Sequence, residues 1–149
     1  MYKELHSAFS NEFFLHNRVA PLEKVGTACE IESSNILRFA IKHRKEKNVY
    51  IYIADQYPYR AAHDIGQFLN QSTKCMLGAA GVACKLEHSV IYLKMKRVDR
   101  GRYDMTLIPI CMNASEHSPE EITRKYFDLL EEEIRETPAN WLWSHKRWK

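Results

Sequence analysis

The sequence lacks any hydrophobic run long enough to cross a membrane. The two longest stretches without a charged residue are residues 105–115 and 75–84, whereas a membrane-spanning helix needs roughly 18 apolar residues. Residues 1–6 also lack the apolar run that is typical of a secretory signal. We therefore expect a soluble chain on the cytosolic side of the membrane.

Glycine (5 residues) and cysteine (4 residues) are also scarce. Gly78 and Gly81 lie inside a helical pattern, so no glycine-rich loop connects a strand to a helix, and the common nucleotide-binding motifs are excluded. The cysteines form no Cys-x-x-Cys pair and have no histidine at zinc-site spacing. We expect free thiols and neither a metal nor a cofactor.

Strong positive charge is absent as well. Lysine and arginine (22) exceed aspartate and glutamate (19) by three, which is too balanced for a typical nucleic-acid-binding protein. We expect no nucleic-acid partner. At 149 residues, 45% hydrophobic and 28% charged, the chain has the size of one globular domain.

Hydrophobic periodicity predicts an α/β fold. Apolar residues at helical spacing predict a helix over residues 35–41, with the basic run 42–47 at its C-terminus. The β-branched and aromatic run 49–54 predicts a central strand. Residues 55–71 have no period and predict a long loop, and residues 74–86 predict a helix capped by Ser72 or Thr73.

The C-terminal half has the clearest local patterns. Strand patterns on both sides of Asp99-Arg100-Gly101 predict a β-hairpin over about residues 89–108, with Gly101 suited to a positive φ. Ser118-Pro119-Glu120-Glu121 forms a capping box that predicts a helix over about residues 118–136. The helix should end before Thr137-Pro138.

Asp55 and Gln56 are candidates for a functional site because they follow the predicted central strand directly. Ligands of open α/β sheets bind in the crevice at the carboxyl ends of strands. Alternatively, Asp55 caps a turn by accepting hydrogen bonds from its own backbone. Position alone leaves both interpretations open.

The C-terminus has an unusual composition. All three tryptophans, Trp141, Trp143 and Trp148, lie in the last nine residues, next to Lys146 and Arg147. Tryptophan with basic residues suits a membrane interface, and it also suits stacking on single-stranded nucleic acid. A third interpretation is a docked segment whose tryptophans fill the core.

Residues 140–149 resemble the C-terminal signature of the bacterial lipid A biosynthesis acyltransferases, a family of the lysophospholipid acyltransferase superfamily. Residues 53–56 resemble the family's strand that ends in Asp-Gln. Phe68-Leu69-Asn70 resembles its Phe-x-Gly block, with Asn70 in place of the usual glycine. The resemblance covers nearly the whole chain but only the C-terminal half of the family.

This resemblance implies a partial acyltransferase fold, with a mixed β-sheet flanked by helices, that forms the C-terminal portion of a single acyltransferase domain. It implies transfer of a fatty acyl chain from acyl carrier protein or acyl-CoA to a hydroxyl of a lipid A precursor or related glycolipid. It also implies that the full-length protein is membrane-associated, on the cytoplasmic face of the bacterial inner membrane.

The resemblance also suggests site residues. Those expected at the substrate cleft are Asp55, Gln56, Arg60 and Phe68. Those expected at lipid headgroups or in the tail motif are Trp141, Trp143, Lys146, Arg147 and Trp148.

The family's catalytic motif, a histidine with an aspartate or glutamate five positions later, does not occur in this sequence. The family's N-terminal membrane anchor is also missing. We therefore expect a truncated chain that is inactive alone. The alternative is a catalytically inactive module that binds lipid or acyl carrier protein. A truncated sheet exposes edges and apolar faces that can pair with another chain, so we also expect homo-oligomers of the fragment.

Overall fold

The structure, a computed structural model, describes residues 7–23, 31–58 and 62–148. The chain divides into two compact units, Met1–Tyr52 and Ile53–Lys149. In the described part of the chain, no helix is both long enough and apolar enough to span a membrane. Arg60 and Cys29 lie outside the described residues.

The first unit contains two helices, α1 (Ala8–Glu23) and α2 (Ile36–Lys42). α2 confirms the predicted helix, and it buries Ile36 and Ala40, which are four residues apart on one face. Our sequence interpretation did not include α1. Phe9 and Phe13, one turn apart on this helix, stack with their ring centroids 6.4 Å apart and stay largely exposed.

The predicted central strand at residues 49–54 is wrong. These residues join no β-ladder with any described residue, and Val49, Ile51 and Ile53 are 90%, 69% and 74% exposed. Preference for extended backbone is a weak, context-dependent quantity, and a strand forms only when it finds a hydrogen-bonding neighbour. The apolar run alone carries no information on that neighbour.

The second unit is an α/β arrangement, as predicted. Its elements in chain order are β1 (His63–Phe68), β2 (Gln71–Cys75), α3 (Gly78–Lys85), β3 (Val90–Asp99), β4 (Arg102–Cys111) and α4 (Pro119–Glu136). The described strands form two antiparallel hairpins, β1 with β2 and β3 with β4.

The first hairpin replaces most of the predicted loop at residues 55–71, and β2 occupies the predicted helix cap. Its turn residues Leu69 and Asn70 both have positive φ, at 51° and 63°, as a type I′ hairpin turn requires. A β-bulge with Gly66 at φ 82° lies in β1. The bulge places the buried residues Ile65 and Phe68 three positions apart, so the two-residue period of a strand is hidden.

The second hairpin confirms the prediction and extends it to Val90–Cys111. Gly101 has φ 71° in the connecting turn, as expected. α3 is shorter than predicted because residues 71–75 pair in β2. Its small residues Ala80 and Ala83 are buried against Cys111, Ala114 and Ile122.

α4 confirms the predicted C-terminal helix and its capping box. Ser118 Oγ accepts the Glu121 N–H at 3.1 Å, and Glu121 Oε2 accepts the Ser118 N–H at 2.8 Å. The apolar face of α4 packs on both hairpins. Phe127 meets Phe68 edge to face at 5.0 Å, and both are fully buried. The main core consists of Ile65, Phe68, Cys75, Tyr92, Phe127, Leu130 and Ile134.

Candidate functional site

The C-terminal segment 141–148 packs against the main core of the second unit. The rings of Trp141 and Trp148 lie 6.0 and 6.1 Å from the ring of Phe68, and 6.0 Å from each other. Trp148 Nε1 donates to Thr73 Oγ1 at 2.8 Å. For these two tryptophans, the structure matches the interpretation as a docked segment that fills the core.

Trp143 differs from the other two tryptophans. Its side chain is 54% exposed, and it contacts Trp141 edge to face at 4.8 Å. Its indole Nε1 donates to the Pro138 carbonyl at 2.6 Å. Trp143 therefore has one face on the protein and one face toward solvent.

Two tail residues hold the segment that begins at Asp55. Trp141 Nε1 donates to Asp55 Oδ2 at 3.3 Å, and the Tyr57 backbone N–H donates to His145 Nε2 at 3.1 Å. His145 can accept at Nε2 only as a neutral ring with its proton on Nδ1. We call Trp141, His145, Arg147 and Trp148 together the tail clasp.

Arg147 is the most deeply buried member of the tail clasp, at 2% exposed. Its Nη2 donates to the Lys74 carbonyl at 2.5 Å, and its guanidinium carbon lies 5.6 Å from the centre of the Phe127 ring. Burial lowers the pKa of the guanidinium, while the nearby Cys75 and Asp55 oppose that shift. Its Nε finds no hydrogen-bond partner among the described residues.

The two cations predicted to face lipid headgroups, Lys146 and Arg147, therefore differ in their exposure to solvent. Lys146 is exposed, so its role at lipid headgroups stays a prediction. Arg147 has almost no surface, so in this structure its guanidinium belongs to the interior and cannot meet a headgroup. The neighbouring sequence does not indicate that Arg147 is buried, because its burial depends on contacts with Lys74 and Phe127, which are distant in the sequence.

Asp55 lies in a partly buried polar cluster. Burial, together with the negative charge of Asp55, raises the pKa of Tyr126. Burial and a hydrogen bond to Glu133 raise the pKa of Tyr92, whose Oη donates to Glu133 Oε2 at 2.5 Å. The cluster thus combines two carboxylates with two phenols that stay protonated at neutral pH.

The other residues predicted at the cleft are dispersed. Gln56 is exposed, and Arg60 lies outside the described residues. Phe68 has 0% exposed surface, so here it is a core residue beneath the tail clasp and does not line an open cleft. The structure therefore brings Asp55 together with Trp141 and Arg147 rather than with Gln56 or Phe68.

A groove of about 380 Å³ lies beside this cluster. Its lining combines apolar side chains with four polar ones and comprises Met95, Arg97, Tyr103, Leu130, Glu133, Ile134, Thr137, Ala139, Asn140 and Trp141. Trp141 belongs to both the groove lining and the tail clasp, so the residue that holds Asp55 also lines the groove. In the described ranges, no group of three or more His, Cys, Asp and Glu side chains is arranged to hold a metal ion.

Two α4 residues that our sequence interpretation missed anchor the first hairpin. Arg124 Nη1 donates to the carbonyls of Ile65 at 2.9 Å and Gln67 at 2.8 Å, on both sides of Gly66 in the bulge. Glu131 Oε2 accepts the Leu69 N–H of the turn at 3.0 Å. Their seven-residue spacing corresponds to two helical turns and places them on one side of α4. In the sequence, this spacing was the one indication that they act on the same neighbour.

Residues 25–149 match the sequence model of a family described as bacterial lipid A biosynthesis acyltransferase. The matched range includes the tail clasp, Asp55 and both hairpins, and it covers most of the chain. The protein is thus of the acyltransferase class, and it belongs to the bacterial lipid A biosynthesis acyltransferase family. A search of curated proteins finds no match.

Proposed function

We propose that this chain is the part of an O-acyltransferase that shapes the substrate side of the active site. The reaction is transfer of a fatty acyl chain from acyl carrier protein, or from acyl-CoA, to a hydroxyl of a lipid A precursor or related glycolipid. The family match over residues 25–149 is the observation that carries this proposal. The corresponding location is the cytoplasmic face of the bacterial inner membrane.

We assign Asp55 a role in holding the cleft rather than in chemistry. Its Oδ2 accepts the Trp141 indole N–H, and its negative charge opposes the lowering of the Arg147 pKa by burial. A carboxylate engaged in this way holds Trp141 in the lining of the neighbouring groove. Asp55→Asn keeps an oxygen acceptor for Trp141, whereas Asp55→Ala removes it.

The general base of the reaction is not assigned to this chain. A general base must lie within hydrogen-bond reach of the hydroxyl that it deprotonates, and it needs an orienting partner. No histidine here is followed five positions later by an acidic residue, and His145 uses Nε2 to accept the Tyr57 N–H. These observations support the proposal that residues 1–149 alone bind substrate without turnover.

The test compares binding and turnover in the same preparation. Purified residues 1–149 are incubated with labelled acyl carrier protein thioester and a lipid A precursor. We expect saturable binding of the lipid or the carrier, and acyl transfer no faster than in a blank with heat-denatured protein. Acyl transfer above the blank would show that the chain is active alone.

Variants then separate the two proposed functions from a general folding defect. Asp55→Asn should bind like the wild type, whereas Asp55→Ala should bind more weakly while remaining folded at the assay temperature, although loss of the Trp141 hydrogen bond lowers its melting temperature. The second candidate is an inactive module that binds lipid or acyl carrier protein, and the absence of an acid-paired histidine favours it. Binding with no effect on transfer, when the chain is added to an active family member, would support that module. Absence of any binding would contradict both candidates.

A further inference from the structure

The second hairpin exposes a continuous apolar face. The register pairs Ile91 with Pro109, Leu93 with Leu107 and Met95 with Met105, so these six residues form three adjacent rows on one side of the strands. The five larger side chains, excluding Pro109, are between 46% and 67% exposed. We call these six residues the outer hairpin face.

This face departs from the usual pattern of a surface hairpin. An antiparallel hairpin that packs one face on the core normally places polar residues on the other. The inner face is apolar where Tyr92 is buried in the core and Ile108 packs against it, and it becomes polar toward the turn, at the pairs Lys94 with Thr106 and Lys96 with Asp104. Single exposed apolar residues are normal, but a contiguous apolar patch marks an interaction surface.

The turn end of the same hairpin is basic. Between Val90 and Cys111 there are five lysines and arginines and two aspartates, which gives a charge of five minus two, or +3. The whole chain has a net charge of +3, so the rest of the chain is neutral in sum. Arg97, Arg100 and Arg102 are all exposed at this end.

The outer hairpin face is also continuous with the groove. Met95 belongs to both, and Arg97 and Tyr103, the next cross-strand pair, line the groove as well. Trp141, which binds Asp55, is also part of the groove lining. A ligand that covers the face therefore lies beside the groove of the candidate site.

We propose that the outer hairpin face docks on an anionic lipid surface. The three apolar rows enter the interfacial region, and Arg97, Arg100 and Arg102 contact lipid phosphates. Apolar burial and attraction to anionic lipids together are the general basis of interfacial binding. Charge argues against a second copy as the occupant, because the outer hairpin face has no acidic side chain that could pair with the arginines of that copy.

The proposal goes beyond acyl transfer, because binding is measured without donor or acceptor. The probe is flotation of the full chain with vesicles of pure phosphatidylcholine, or of phosphatidylcholine and phosphatidylglycerol in equal parts. We expect binding to the mixed vesicles only. Leu107→Glu should weaken it at least about tenfold, since it places a charge in the apolar rows. The matched control is Ile53→Glu, which changes a residue that is 74% exposed outside the face and should bind like the wild type.

A second pair of variants tests the charge. Arg100→Gln with Arg102→Gln should weaken binding roughly 25-fold at low salt, or about fivefold per basic residue. The control is Lys45→Gln with Lys47→Gln, which removes the same charge from exposed residues outside the hairpin and should weaken binding much less.

Three results would overturn the proposal. One is absence of binding to the mixed vesicles, and another is a loss of binding in either control, Ile53→Glu or Lys45→Gln with Lys47→Gln, that equals the loss in the variant it is matched to. The third is a dimer in sedimentation that Leu107→Glu dissociates while vesicle binding is unchanged, which would make a second copy the occupant. If Leu107→Glu does not fold, vesicle binding by the double variant Arg100→Gln with Arg102→Gln still tests the proposal, because both arginines lie in or beside the exposed turn.

Discussion

Replacing Arg147 by alanine, and separately by methionine, tests whether this residue belongs to the interior. Both variants lose the hydrogen bond from the guanidinium to the Lys74 carbonyl. A hydrogen bond to a charged group contributes about 1.5–3 kcal/mol. Both variants also remove a buried cation with an unpartnered Nε, which offsets part of that loss.

The two variants differ in the volume that they leave. Methionine fills most of the space beside Phe127, so we expect Arg147→Met to lower the free energy of unfolding by only about 1 kcal/mol. Alanine leaves a cavity, and for a buried side chain of this length the step from methionine to alanine costs about 2–5 kcal/mol. We therefore expect Arg147→Ala to be destabilised by about 3–6 kcal/mol in total, or a melting temperature lower by roughly 10–20 °C.

The assay is urea unfolding followed by tryptophan fluorescence, since Trp141 and Trp148 report on the tail clasp. Lys146→Ala is the control, because substitution of an exposed lysine changes stability by about 0.5 kcal/mol or less. An Arg147→Ala midpoint equal to that of Lys146→Ala would refute the reasoning. Equal losses in the alanine and methionine variants would show that the charge, not the packing, is what matters.

Three further predictions concern the first hairpin and α4. Asn70→Ala should cost about 1–2 kcal/mol because φ is positive there, whereas Asn70→Gly should be nearly neutral; thermal unfolding of both variants checks this. The hydrogen bond from the Leu69 N–H is the largest cause that lowers the pKa of Glu131 in the folded protein. The ionised Glu131 therefore stabilises the fold above its unfolded pKa of about 4.3. This contribution is lost as pH falls through the lower folded pKa. Urea midpoints measured from neutral to acidic pH should therefore fall less steeply in Glu131→Gln than in the wild type, and parallel curves would contradict this. Tyr92→Phe should cost about 1.5–3 kcal/mol through loss of its bond to Glu133, and a double-mutant cycle with Glu133→Gln should show that the two residues are coupled.

Local signals predicted the elements whose stabilising contacts are close in sequence. The capping box at Ser118 and the apolar spacing of α4 need only residues within a few turns of each other. The β3–β4 hairpin needs only a turn with Gly101 and two strands on either side of it. The family resemblance likewise depended on short motifs, and the match over residues 25–149 confirms it.

Elements that depend on distant partners were predicted poorly. Residues 49–54 have the composition of a central strand, but no described strand pairs with them. The β1–β2 hairpin was missed because the bulge at Gly66 interrupts the alternation of buried and exposed residues. In both cases hydrogen-bonding geometry overrode composition.

The sequence by itself determined α4, the second hairpin, the family and the tail motif, because each is encoded in neighbouring residues. Only the tertiary structure decided which of the individual tail residues are buried and which are exposed. Trp141 reaches Asp55 across 86 positions and Arg147 reaches Lys74 across 73, whereas Lys146 stays exposed. Such long-range contacts determine burial. For this reason Arg147 lies in the core while the adjacent Lys146 lies on the surface, although the two look alike in the sequence.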